Sequence, residues 1–269
     1  MTRKPPPAPA QPWSHTKLLA VLVAIVLVGV GLLVGFVLAI HSVISKPDAG
    51  SGSSTPSRSL PTDETERRDQ LAAEPMLEVS GTDSTQGVPA ATPGPMITVP
   101  GSSVIGAAKV PSGFPHTPQG AIGQLAAIEV AVLTEMSIPR TNEIYQAWAN
   151  EGAPTVDQWR MTRHVQAFLA AAKMGQVMDP GTKVTATPVA AQTKSSDGPD
   201  WTIACVLLDV RAVATAEARM AFGYCERMQW DGSRWVIASG TPPADAPSTW
   251  PGTELAFQAG WRTWAPTDR

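Results

Sequence analysis

Proton-transfer chemistry needs a base held in an apolar site with a hydrogen-bond donor opposite it. With four histidines and two cysteines in 269 residues, such groups are scarce. His164 is the best single candidate base, on an expected helix, with Glu143, Asp209 and Tyr224 as candidate companions. The plainer reading of His164 is an exposed or capping histidine beside Arg160 and Arg163. His116 lies between Pro115 and Pro118, where a structural hydrogen bond at a helix entry outweighs catalysis. Asp209 belongs to the strand face opposite Leu208 and Val210, and so points away from an apolar interior. No Ser-His-Asp order, metal-spaced His/Cys cluster or glycine-rich phosphate loop occurs. No catalytic, cofactor-binding or metal-ligating residue is therefore assigned, and the chain reads as a non-enzyme.

Cys205 and Cys225 fall on successive expected strands. A hairpin tip centred on Thr215 sets them directly opposite one another. The same register pairs Val206 with Tyr224, Leu208 with Phe222 and Val210 with Met220, giving one apolar face. Opposed cysteines outside the cytoplasm tend to oxidise, so a Cys205–Cys225 disulfide is expected, with two buried thiols as the alternative. Two cysteines without nearby histidines do not make a zinc site.

The elements that must position these residues are helices first and strands second. Thr117 can cap a helix beginning at Pro118, with Ile122, Leu125, Ala126, Val132, Leu133 and Met136 at helical spacing and Pro139 ending it. A short helix is expected over 142–150. Thr155 and Gln158 have the form of a capping box opening a third helix that runs to about Met174, with Gly175 as its stop. Strands are expected over 184–190, where Pro188 demands an edge or a bulge, over 200–213, over 218–230, and over 235–239 after a tight turn at 231–234. Trp250, Trp261 and Trp264 lie among prolines in a C-terminal tail expected to pack across the domain surface.

Upstream, residues 18–40 are apolar and free of charge. As a helix, about 23 residues extend about 35 Å, enough to cross a hydrocarbon core of about 30 Å. Arg3, Lys4 and Lys17 precede the run without an acidic residue among them. This bias places the Pro-rich tail, 1–17, in the cytoplasm and the rest of the chain outside a plasma membrane. Gly31 and Gly35 form a GxxxG pair that suits close packing of two such helices, hence a possible homo-oligomer. Residues 41–113 are rich in Pro, Gly, Ser and Thr and read as a disordered linker with a reach of about 45 Å. Within it, Met96 to Val99 and Val104 with Ile105 are short apolar patches able to dock locally, for instance as an added strand. The folded domain is expected over 114–269. The net charge of −3, without a Lys/Arg cluster, gives no reason to expect nucleic acid as a direct partner.

The order of span, linker, three helices and curved antiparallel sheet resembles the NTF2-like cone, an α+β fold. The run AFGYCERMQWDGSRWVI, residues 221–237, is similar to its last two strands, where a tryptophan follows a tight turn. With one N-terminal span, the whole resembles VirB8 and TcpC-type bitopic proteins of conjugation (type IV secretion) machines. GFPHTPQGA, residues 113–121, is similar to the helix entry of actinobacterial forms. The resemblance implies a non-catalytic assembly subunit whose partners are the membrane and other channel proteins. Two other readings share the architecture. One is an Mce-associated membrane protein aiding lipid import. The other is an anchored NTF2-like small-ligand binder or isomerase-like enzyme.

Overall fold

The computed structural model describes residues 62–214 and 216–267. The tail 1–17, the apolar run 18–40 with Gly31 and Gly35, residues 41–61 and the hairpin-tip residue Thr215 lie outside the described residues. Among those described, no helix is long and apolar enough to cross a membrane.

The helices begin where capping chemistry directs. Helix α1, Glu64–Ala73, is capped by Asp63, whose carboxylate accepts from the Glu66 N–H at 2.9 Å. Helix α2, Pro118–Glu135, starts at a proline after Thr117, which accepts from the Gly120 N–H at 3.1 Å. It stops because Met136 turns left-handed, φ 40°. Pro139 does not end this helix. It sits in the first turn of α3, Ile138–Trp148, where its missing N–H has no intrahelical partner to lose. The Gln158 side chain accepts from the Thr155 N–H at 3.1 Å, but this box closes a turn; α4, Arg160–Ala171, begins later and is capped by the backbone of Trp159. Lys173, φ 56°, and not Gly175, breaks the chain away after α4.

The protein is α+β with a mixed sheet. Strands β1 (Met96–Val99), β4 (Lys183–Ser196), β5 (Trp201–Val213), β6 (Glu217–Trp230), β7 (Trp235–Ile237) and β8 (Arg262–Pro266) lie in the order β1-β8-β4-β5-β6-β7. Strands β2 (Val104–Ile105) and β3 (Pro111–Ser112) form a separate ribbon. The β1–β8 pair is parallel, so the sheet is not antiparallel throughout. No hairpin dictates the direction of β1, which enters from far away in the chain. Strand β4 shifts register between Pro188 and Ala190 and again between Thr193 and Ser195. Each bulge adds a bend, and the first lies beside the proline that cannot donate to the ladder.

Two cores flank the sheet. On the inner face, α2, α3 and α4 pack Ile122, Leu125, Ile128, Trp148 and Val165 against Val206, Leu208, Met228 and Ile237. On the outer face, Ile203, Cys205, Leu207 and Cys225 meet Ala72 of α1, Trp261 and Ala256 of the short helix α5, Glu254–Gln258. Every residue of β5 from Trp201 to Leu208 is buried. Val206, Leu208, Val210, Phe222 and Tyr224 make the expected apolar face, on the inner side, and β5 carries a second apolar face beyond it.

The expected disordered linker, 41–113, is corrected over its described part. Residues 62–113 hold α1, β1 and the β2–β3 ribbon, and the folded unit begins well before Phe114. Average composition hides how this segment docks. It contributes isolated buried side chains, Ala72, Val99 and Val110, and polar contacts. The buried Gln124 of α2 donates to the Pro111 carbonyl at 3.0 Å and accepts from Ser112 Oγ at 2.9 Å. The C-terminal tail likewise supplies a strand, β8, and the fully buried Trp261, whose indole N–H donates to the Pro247 carbonyl at 2.9 Å.

Candidate functional site

The β5–β6 register places Cys205 opposite Cys225, Val206 opposite Tyr224, Leu208 opposite Phe222 and Val210 opposite Met220. The two cysteines, with Cα atoms 4.1 Å apart, are joined in a disulfide buried in the outer core. Asp209 points outward and takes Arg219 in a two-pronged pair, 2.8 Å on each side. That guanidinium holds its carboxyl below the usual carboxylate range. Glu143 is exposed and bound to Arg140 at 2.7 Å. His116 Nε2 lies 2.7 Å from Asp200 Oδ1, and the ring stacks on Trp230, with ring centres 4.4 Å apart. Of the four groups considered for proton transfer, then, only His164 and Tyr224 face one another.

His164 stands edge-on to Phe222 at 5.1 Å and to Tyr224 at 6.2 Å. The residue is exposed, as the plainer sequence reading has it; partial desolvation of the ring, and next the Arg160 charge, lowers its affinity for a proton and favours the neutral form at pH 7. No hydrogen bond or ion pair reaches it among the described residues. It borders a cavity of about 400 Å³ between the end of α2, α4 and the β5–β6 hairpin. Leu133, Met136, Phe168, Val210, Met220 and Phe222 make the wall apolar, and Arg219 and Thr85 stand at its rim.

Deeper in the inner core lies an acidic cluster that the sequence reading did not single out. Glu226 accepts from the Trp159 indole N–H at 3.0 Å, the Tyr224 hydroxyl at 2.8 Å and the Arg227 N–H at 3.1 Å. Glu129, on α2, is completely buried, and both carboxyl oxygens lack a partner among the described residues. Burial, and next the charge of Glu226, pushes its pKa well above the carboxylate range and favours the protonated acid. Burial and the same charge push Tyr224 well above its ordinary value and Tyr145 up to about 12. Both carboxylates had a positional signal. Glu129 falls on the stripe of Leu125, Ile128 and Val132, and Glu226 continues the inward alternation of Phe222, Tyr224 and Met228.

Chemically, the two zones differ. The acid cluster owns a donor and acceptors, but the void beside Glu226, Tyr145 and Trp159 measures about 10 Å³, room for about one water. The cavity by His164 admits a ligand, but offers one unpartnered imidazole. Among the described residues, no group of His, Cys, Asp and Glu side chains is placed to hold a metal ion. No protein-family model, curated protein or solved structure matches the chain.

Proposed function

We propose that the chain is a single-pass plasma-membrane protein that acts without catalysis, as an assembly subunit of a conjugative, type IV secretion-like machine. Its outer domain is read as an NTF2-like cone of the VirB8/TcpC kind, N-terminus cytoplasmic. Three helices, α2 to α4, running ahead of β4 to β7, a β4 bent by two bulges, and the 231–234 turn feeding Trp235 into β7 support that fold. In this turn the Asp231 carboxylate accepts from the N–H groups of Ser233 and Arg234, each at 2.9 Å.

The observation that carries the assembly reading is the β1 edge of the sheet, which no further strand pairs among the described residues. Strand β1 is terminal in the strand order and leaves Met96 70 % exposed; Val104 and Ile105 in the adjoining chain are 56 % and 70 % exposed. An unprotected edge flanked by apolar side chains suits strand addition by another protein. Affinity capture of the membrane-extracted full chain is expected to recover secretion-channel proteins. Recovering none, together with normal conjugation by a deletion strain, overturns the reading. Conjugation ATPase and relaxase genes beside this one would support it. A second reading, an anchored small-ligand binder, is favoured by one observation only: the apolar cavity beside His164.

A further inference from the structure

We infer that the cavity beside His164 is a binding site for a single-chain anionic amphiphile, its hydrocarbon tail inside the wall and its acid head at the rim by His164 and Arg163. This goes beyond the assembly reading and stands or falls without it.

Three features specify the occupant. The first is the wall. Leu133, Met136, Phe168, Val210 and Phe222 surround a space in the size range of small-molecule sites, about 300–1,000 Å³. Only Thr85, His164 and Arg219 among its lining residues carry polar side chains, so water inside would gain few hydrogen bonds. The second is volume. About 400 Å³ lies near the small end of the range of such sites, which suits one acyl chain.

The third is charge at the rim. Helix α4 carries Arg160, Arg163 and His164 in one turn. Arg160 is paired with Asp245 at 2.5 Å, and Arg219 is pinned between Asp209 and the face of Trp250, 4.8 Å from its ring centre. Arg163 is exposed and has no ion-pair partner among the described residues. Facing groups do not reverse this sign. Asp245 and Asp209 are engaged with these arginines, and Tyr224, Glu226 and Glu129 are buried in the core. Burial comes first among the causes that lower proton affinity at His164; the charge of Arg160, which also favours an anionic head nearby, comes next and is offset in part by Asp245.

The test uses the full chain in nanodiscs and dodecanoate carrying a chain-terminal photoreactive diazirine. Labelling is expected within residues 160–168 and 210–222. Unlabelled dodecanoate should compete at least tenfold better than dodecanol. Arg163→Glu, an exposed substitution that the fold tolerates, should lower labelling several-fold and abolish the preference for the acid over the alcohol. Ala212→Trp, which fills the cavity, should reduce labelling at least tenfold while the melting transition and the disulfide persist. Three outcomes overturn the inference: labelling scattered over the surface, dodecanol competing as well as dodecanoate, or unchanged labelling in both variants. If Ala212→Trp fails to fold, Arg163→Glu alone decides. A two-chain phospholipid with the same photoreactive tail is the contrasting arm; equal labelling of the cavity by it overturns the single-chain class.

Discussion

The two faces of the sheet are held by different forces. The inner face is closed by three helices through apolar burial, with Trp148, Leu125, Ile122 and Ile128 fully excluded from water. The outer face is closed near its N-terminal helix by charge. Arg67 and Arg68 of α1 both reach Asp197, Asp69 meets the buried Arg227, and Lys194 Nζ donates to the Ala72 carbonyl at 2.7 Å. Arg68 and Arg227 lie over Trp201 at 5.4 and 5.3 Å. Gly240, at φ 108°, leaves room for the Arg227 guanidinium, which a Cβ there would strike. Of α1 itself only Ala72 is buried. Apolar packing is insensitive to salt and to mild pH change, whereas ion pairs are not. The two layers should therefore fail under different conditions.

The largest expected effect breaks the inner layer. Trp148→Ala removes a fully buried ring, its hydrogen bond to the Ala107 carbonyl at 3.1 Å and the Arg234 stack, and should cost about 3–5 kcal/mol in denaturant unfolding. A loss under 1 kcal/mol would mean the ring is not packed as described. Next, breaking the 205–225 disulfide by Cys205→Ala with Cys225→Ala should cost about 3 kcal/mol, since the closed loop has a sequence separation of 20.

The third prediction concerns pH. Glu129 has its folded pKa raised above the unfolded value of about 4.3, so the folded state binds the extra proton. Stability from this group is complete below about pH 4 and falls as pH rises toward the folded pKa, by at most about 1.4 kcal/mol per unit. Glu129→Gln should match the parent at pH 4 and exceed it increasingly above pH 5 in thermal melts; parallel curves would reject the buried acid. Asp197 has the opposite sign. Its carboxyl is held below its ordinary value by Arg67 first, then Arg68, so its contribution is present above about pH 4 and lost on acidification.

Two smaller effects sharpen the contrast. Asp69→Ala strands the nearly buried Arg227 and should cost about 2 kcal/mol, with faster, salt-enhanced proteolysis confined to residues 62–75. Proteolysis unaffected by salt would show that charge does not hold α1. Arg67→Ala, at a more exposed pair, should have the smallest effect of these changes in the same unfolding assay.

The inner layer was legible in the sequence because it obeys period rules. Thr117 before Pro118, the even-numbered apolar residues of β5 and β6, and the 231–234 turn each carry a local signal. The Cys205–Cys225 register follows from symmetry about one tip. The outer layer was not legible in the same way. Residues 62–113 bring few apolar side chains to the core, and their order depends on partners as distant in sequence as Asp197 and Arg227. One cue was present. The nearly continuous apolar run 201–208 lacks the alternation of a half-exposed strand and belongs to a strand covered on both sides. Of the candidate site, His164 and Tyr224 were visible by residue type. Glu129 and Glu226 were masked because acidic residues are expected at the surface, although both sit in apolar register.

The disulfide and α1 together give the domain a mechanical order. A pull applied at residue 62 is met first by α1, whose ion pairs can let go one after another. Only when these are spent does the load reach β5 and β6, where a covalent bridge joins neighbouring strands at mid-length. Traction from the N-terminal side would thus uncover Trp201 and Arg227 while leaving the stapled hairpin and the helices behind it in place.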